Sequence, residues 1–303
     1  MVKLEDSIIV VGGLARDCEA NLLKNLNEIL KLKEKVKELF ICILENDSSD
    51  KTPRIMDDFC RLNENVIVKH FSETEFDVNI KTGAAKSRIC RLAKYRNMLL
   101  DLMERCSNVI NYNVIIDWDL DELDSMQILN AIEEAPSDWG AIFADGRYKW
   151  QYKNYKQSGF RDKSKIYDTF ALLENDMDIE TISFKGKRKF RMFQMALMYG
   201  RLLNKEKYVK CTSAFGGIGI YKHDAISGCR YSTLSKGDWY VCEHIFFNNR
   251  VRLNGYQNYI CSEMITSVLL SQNNILFYLL NRYLHFLFNY LVFLRLKKNG
   301  KML

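Results

Sequence analysis

Short β-branched runs alternate with lysine-rich amphipathic stretches through the first half of the chain. Ser7–Val11 is the pattern of a buried strand, closed by Gly12-Gly13. Cys18–Lys37 carries Leu22, Leu23, Leu26, Leu30 and Leu32 with lysines between them, the stripe of an amphipathic helix. Leu39–Leu44 predicts a second strand, and Lys51–Leu62 a short helix that admits Pro53 in its first turn. Asn65–His70 predicts a third strand. Ala84–Cys106 predicts a long helix with a basic start at Lys86, Arg88, Arg91, Lys94 and Arg96. Asn113–Ile116 predicts a fourth strand that runs straight into acids, and Trp139–Ala144 a fifth. This rhythm predicts an α/β fold, Rossmann-like, with a mostly parallel sheet and helices on both faces. Such sheets bind ligands outside the carboxyl ends of their strands, so chemistry is expected just after each one.

Residues 145–230 break the pattern. They are rich in Lys, Tyr, Phe and Gly and predict long loops with a few strands, with 184–193 as a basic loop. Residues 273–303 are apolar and aromatic, then basic. Ile275–Leu296 is long enough to span a bilayer, but Asn281, His285 and Asn289 form a polar stripe beside Arg282. Arg295, Lys297, Lys298 and Lys301 follow. An amphipathic basic helix lying on a cytoplasmic membrane surface is the leading expectation. A packed or oligomer-forming helix and a true span are the alternatives. The expected organisation is one domain over 1–268, with a nucleotide-binding half (1–125) and an acceptor-side half (126–268), followed by the helical tail at 273–303.

Composition narrows the function class. A 48% hydrophobic, 27% charged chain of 303 residues can bury a core. Its net charge of +6 suits anionic phosphates or an anionic membrane and is too weak to argue for nucleic acid. The nine cysteines form no CxxC pair and no zinc-ligand spacing, which predicts reduced thiols. With no signal-peptide pattern at the start, a cytoplasmic location is expected.

The chemistry centres on "NVIIDWDLDEL", residues 113–123. If the strand continues through them, Asp117, Asp119 and Asp121 point the same way, with Glu122 alongside. Like charges so placed repel unless a cation neutralises them. Hard oxygen ligands suit Mn2+ or Mg2+, which would bridge the two phosphates of a nucleotide-sugar. The plainer alternative is a solvated acidic loop. Gly12 allows close backbone approach to a nucleotide, or simply ends a strand. Glu45, Asn46 and Asp47 follow a strand and can hydrogen-bond a base or ribose, or Asp47 can cap the next helix. Arg96, beside Asn97, can meet a diphosphate or pair with Asp47 or the acidic cluster. Gly216 and Gly217 suit either close passage of a sugar or a turn between strands.

Seven segments in order carry a resemblance: "IIVVGGLARDCEANL" (8–22), "ILENDSSDKT" (43–52), "RICRLAKYRN" (88–97), "VIIDWDLDE" (114–122), "YDTFALLE" (167–174), "SAFGGIGIYK" (213–222) and "CEHIFFN" (242–248). Together they resemble the GT-A glycosyltransferases, with closest likeness to the fungal capsule-associated mannosyltransferase type and similar bacterial and viral enzymes. The resemblance implies a metal-dependent hexosyltransferase that moves a sugar from a UDP- or GDP-sugar to a glycan or lipid-linked acceptor. It implies a metal on Asp117 and Asp119, with Asp121, and His244 as a further ligand or a packing residue. It places Asp168 near the sugar or acceptor. It makes Glu243 the general base of an inverting enzyme, or in a retaining one a residue that holds the sugar or acceptor. Two rival functions are a sugar-nucleotide nucleotidyltransferase and a non-catalytic carbohydrate- or partner-binding protein on a degenerate scaffold of the same fold. The first would want a glycine-rich triphosphate loop, where "GGLARDCE" offers only Arg16; intact Asp117 and Asp119 argue against the second.

Overall fold

The computed structural model describes residues 2–72, 84–150, 160–161, 168–177, 195, 198–200, 202–233, 235–236 and 239–269. The basic loop at 184–193 and the tail at 273–303 lie outside the described residues. Contacts divide the chain into two units. One comprises Met1–Arg147 and Asp162–Val268; the other comprises Tyr148–Arg161 and Leu269–Leu303.

In the first unit the strands and helices follow in the order β1 (Ile8–Ala15), α1 (Leu22–Leu30), β2 (Glu38–Asn46), α2 (Thr52–Leu62), β3 (Val66–Phe71), α3 (Ala84–Met103), β4 (Tyr112–Ile116) and α4 (Ser125–Glu133). β5 (Trp139–Trp150) comes next, and its last residues pair with β6 (Phe160–Arg161) inside the second unit through Lys149↔Arg161 and Trp150↔Phe160. Then come β7 (Tyr208–Cys211), β8 (Ile218–Lys222), the small hairpin of β9 (Ser235–Lys236) and β10 (Trp239–Tyr240), α5 (Glu243–Leu253) and β11 (Gln257–Leu269).

The main sheet runs β3-β2-β1-β4-β8-β5-β11-β7. Its first four strands are parallel, as the sequence rhythm predicts. β8 then inserts antiparallel between β4 and β5. β5 therefore keeps the direction of β4 without touching it, and the sheet is parallel in one half and mixed in the other.

Strand alternation divides the core between two faces. Val10, Cys42, Leu44 and Ile115 face α3, where Leu99, Leu100 and Met103 are buried against them. Ile9, Val11, Ile41, Ile43, Val114 and Ile116 face the other way, onto Leu22, Leu26 and Ile29 of α1 and Met56 and Phe59 of α2.

The glycines do not end the first strand. β1 runs through Gly12 and Gly13 to Ala15, in register with Cys42 through Glu45 of β2. A Cβ on Gly12 would meet Met103 Sγ at 2.3 Å, and one on Gly13 would meet the Ile116 carbonyl oxygen at 2.4 Å. These glycines let α3 and the end of β4 pack close. Gly12 is buried under a helix, and the expectation that it contacts a nucleotide is corrected.

Candidate active site

The parallel strands deliver their carboxyl ends to one cleft of about 490 Å3. β1 contributes Leu14, Ala15 and then Arg16, β2 contributes Asn46, and the turn after β4 contributes Asp117, Trp118 and Asp119. The opposite wall is one face of α3: Arg88, Arg91, Leu92, Tyr95 and Arg96. Their spacing of three and four residues is that of a single helix surface.

Two loops beside the cleft brace each other. Asp17 Oδ1 accepts hydrogen bonds from the Ser49 N–H at 2.7 Å and the Ser49 hydroxyl at 3.0 Å, and the Asp17 N–H donates to Ser48 Oγ. The Cys18 N–H donates to Thr52 Oγ1 at 2.9 Å. Glu45 is used in this scaffold. One of its oxygens accepts the Ser48 N–H at 2.7 Å, and the other accepts from His70 Nδ1 at 2.8 Å. Asp47 holds a left-handed turn with φ 45° and does not line the cleft. Asn46 does, and its buried Nδ2 has no hydrogen-bond partner among the described residues.

The acidic run does not continue as a strand. β4 stops at Ile116, and the chain turns because α1 captures its carbonyls. Asn25 Nδ2 donates to the Trp118 and Leu120 oxygens, Asn21 Nδ2 to Asp119 O, and Lys24 Nζ to Asp121 O. The Asp121 N–H then donates to Ser267 O in β11. Asp117 and Asp119 open onto the cleft, whereas Asp121 is not among the residues lining it. The expected three-carboxylate row is corrected to a pair. No group of three or more His, Cys, Asp or Glu able to hold a metal occurs among the described residues.

Behind the cleft lies a buried charge cluster. Arg96 Nε donates to Glu243 Oε1 at 3.2 Å, and its terminal nitrogen stands 3.9 Å from Asp117 Oδ1. The guanidinium lies 5.3 Å from the Phe215 ring centre and 5.8 Å from that of Tyr231, within cation–π range. Burial works against its charge, yet Glu243 and Asp117 hold it more firmly protonated than usual. Asp117 shows the reverse balance. Burial, opposed by Arg96 and reinforced by Asp119, Asp168 and Glu243, pushes its carboxyl up to about 7. Its side chain is still 37% exposed, so water and a cation can reach it.

Asp168 accepts the Ala171 N–H at 3.4 Å and the Gly216 N–H. Burial first, then the negative charge of Glu243, raise its pKa above the usual carboxylate range. The structure therefore gathers Asp117, Asp168 and Glu243 around one arginine. Glu243 opens α5 with its side chain 4% exposed, and it does not line the cleft.

His244 is not placed to ligate a metal with the Asp pair. It stacks on Phe215 at 4.1 Å and meets Tyr231 edge-on. Burial, aided by Arg96, holds it neutral, and it packs beside Glu243 with 4.0 Å between Nε2 and Oε1. Gly216 and Gly217 adopt φ values of 62° and 88° in the turn before β8. A Cβ on Gly216 would strike the Ala144 carbonyl oxygen at 2.2 Å, and the Gly217 carbonyl accepts the Asp117 N–H at 2.9 Å. This turn is demanded by packing, and it anchors the first acid of the pair. Arg88 and Arg91 were visible as the basic start of a helix, but their place in the cleft wall emerges only from the helix's orientation. Tyr231 carried no signal beyond being aromatic, and Phe215 none beyond its place in the 213–222 segment.

Comparison with known proteins bears on family and fold. The model of the family described as Cryptococcal mannosyltransferase 1 matches residues 12–249. No curated protein matches. Similar solved structures include GalNAc-T7 with UDP, GalNAc and Mn2+, with a TM-score of 0.52, 9% identity, and coverage of 87% of this chain and 44% of that one. The mannosyltransferase PcManGT from Pyrobaculum calidifontis, in complex with GDP-Man and Mn2+, gives a TM-score of 0.48 at 12% identity over 87% of this chain and 57% of that one. TarS 1-349 of S. aureus gives 0.43 at 14% identity over 86% and 60%. This chain spans less than two thirds of the length of each. The likeness to GalNAc-T7 is one of fold, the GT-A glycosyltransferase fold.

Proposed function

The chain belongs to the Cryptococcal mannosyltransferase 1 family, and from that premise we propose that it is a metal-dependent hexosyltransferase using a UDP- or GDP-sugar donor. The observation that carries this reading is the position of Asp117. It stands at the carboxyl end of β4, opens onto a 490 Å3 cleft and faces an arginine-lined helix. That is the place where an open α/β sheet binds a nucleotide.

The residues present fit a divalent cation. Asp117 and Asp119 offer only hard oxygen donors. With Asp168 and Glu243 behind them, four carboxylates share one buried arginine. A Mn2+ or Mg2+ ion would offset that excess, and when bound it would stabilise charge on a departing diphosphate. A pair rather than a triad of carboxylates leaves coordination positions for donor phosphates.

The chain's own groups then divide the work. Arg88 and Arg91 meet the diphosphate from α3. Asn46 offers its unpartnered amide to the base or ribose. Arg96 is held in place by Glu243 and the aromatic rings, so Glu243 acts as a positioning residue. Asp168, half-buried and with its pKa raised by burial and by Glu243, is the carboxylate that would take the proton of an acceptor hydroxyl. The acceptor is a glycan or a lipid-linked glycan, met by the acceptor-side half (126–268) on the cytoplasmic face of a membrane. Residues 273–303 supply the peripheral contact. No helix among the described residues is long and apolar enough to cross a membrane.

Thermal stabilisation by nucleotide is the test. UDP or GDP with Mn2+ should raise Tm, EDTA should abolish the rise, and Asp119→Ala should lose it while keeping the metal-free Tm. The donor sugar follows from hydrolysis of a nucleotide-sugar panel that begins with GDP-mannose, given the family's description. If neither nucleotide raises Tm with metal present, the reading fails.

A further inference from the structure

Cys42 and Cys106 stand apart from the cleft, with their Sγ atoms 3.2 Å apart and 64 residues between them in sequence. The packing that brings them together is unusual. Cys42 is the register neighbour of Gly12 across the β1–β2 pair, so both face the same side of the sheet. Gly12 has no side chain there, and Met103 of α3 fills the space. α3 therefore lies close over this part of the sheet. Cys106 follows three residues later, with its N–H donating to the Met103 carbonyl, and it falls directly on Cys42. No other cysteine pair among the hydrogen-bonded contacts of the described residues approaches in this way.

We propose that Cys42 and Cys106 are a disulfide-forming pair that fixes the end of α3 to β2 under mild oxidation. The two thiols are not equivalent. The hydrogen bond it shares with Cys106, in which Cys42 keeps its proton, and then burial raise the Cys42 thiol far above its ordinary pKa. The same hydrogen bond lowers that of Cys106, outweighing its burial. Cys42 is fully buried, while Cys106 is partly exposed. An oxidant thus reaches the thiol that ionises more readily.

With hydrogen peroxide as the oxidant, the Cys106 thiolate attacks one peroxide oxygen. The O–O bond breaks, Cys106 becomes a sulfenic acid, and the displaced hydroxide takes a proton to leave as water. Cys42 sulfur then attacks the sulfenic sulfur, the S–O bond breaks, and its oxygen leaves with the thiol proton as a second water. Two thiols are oxidised and one peroxide is reduced. The consequence is mechanical, because α3 carries Arg88, Arg91 and Arg96 and its far end would be tied to the strand that carries Glu45 and Asn46.

The experiment uses the full chain treated with stoichiometric hydrogen peroxide under native conditions. Of nine titratable thiols two should disappear. Peptide mapping without reductant should recover a Cys42–Cys106 cross-link, and Tm should rise by several degrees and return with dithiothreitol. Cys106→Ser should keep the reduced Tm and form no cross-link. If that variant fails to fold, mapping of the wild-type chain alone decides. Recovery of sulfinic or sulfonic Cys106 without a cross-link would overturn the proposal. So would a cross-link that lowers Tm, since the fold would then not accommodate the bond.

Discussion

Arg96 and Glu243, 147 residues apart in sequence, form a buried ion pair through Nε and Oε1 at 3.2 Å. Both side chains are less than 10% exposed. Removing one partner strands the other: Arg96→Ala leaves Glu243, Asp117 and Asp168 with no cation between them. The expected cost is about 3–5 kcal/mol, read from urea denaturation. Arg96→Met combined with Glu243→Leu should recover part of it, because Glu243 is then no longer stranded, although Asp117 and Asp168 still lose their cation. Additive losses in the double variant would disprove a direct coupling. Arg96→Lys should recover only part, since an ammonium lacks the planar surface that lies against Phe215 and Tyr231.

Two glycines with nearly the same φ separate strain from clash. Gly216 has φ 62° and Gly228 has φ 66°. A Cβ on Gly228 meets nothing within 4 Å, whereas one on Gly216 meets backbone at 2.2 Å. Gly228→Ala should cost about 1 kcal/mol from conformation alone. Gly216→Ala should cost roughly 3 kcal/mol or more. It should also weaken Mn2+-dependent nucleotide binding, because Gly217 anchors Asp117. Equal losses in the two variants would refute the packing account.

The parallel half was legible because its central strands are largely buried and read as continuous apolar runs, such as Ile8–Val11 and Leu39–Leu44. The acids after β4 were legible for the same reason, since an apolar run that ends in carboxylates stands out. The turn that separates Asp121 from Asp117 was not, because it depends on Asn21, Lys24 and Asn25 of a different helix. α5 was hidden for another reason. It buries Glu243, His244 and Asn248, so it has no clean apolar stripe. Asn248 donates to Ser213 Oγ and Ala214 O, and accepts from the Tyr221 hydroxyl. Such a network satisfies polar groups in three dimensions and leaves no period in the sequence.

His70 lies between two carboxylates, with Nδ1 at 2.8 Å from Glu45 and Nε2 at 3.0 Å from Asp57. Burial works against protonation, but the hydrogen bonds to Asp57 and Glu45 outweigh it and raise the pKa. The folded state therefore binds this proton more tightly than the unfolded chain. The stabilisation is complete below the unfolded value of about 6.5 and is lost as pH rises through the higher folded value. His70→Gln should flatten the stability–pH curve above about pH 6.5 and leave the rest of the profile intact. The effect is small because the imidazole is 39% exposed. An unchanged slope in denaturation midpoints between neutral and mildly alkaline pH would contradict it.

Arg88 and Arg91 offer the sharpest separation of binding from stability. Arg88 is exposed, and both residues line the cleft from one face of α3. A charged hydrogen bond contributes about 1.5–3 kcal/mol when well desolvated, and partial exposure reduces that to about 1 kcal/mol. Each alanine substitution should therefore weaken UDP or GDP binding by about fivefold in the presence of Mn2+. Tm of Arg88→Ala without nucleotide should be nearly unchanged, since that side chain is exposed. Titration calorimetry at two ionic strengths checks the cause. Raising salt should weaken wild-type binding more than that of the double variant, because the lost contacts are the ones that salt screens. An unaltered Kd in the double variant would remove α3 from the donor site and leave the cleft's anion binding to Arg16 and the metal.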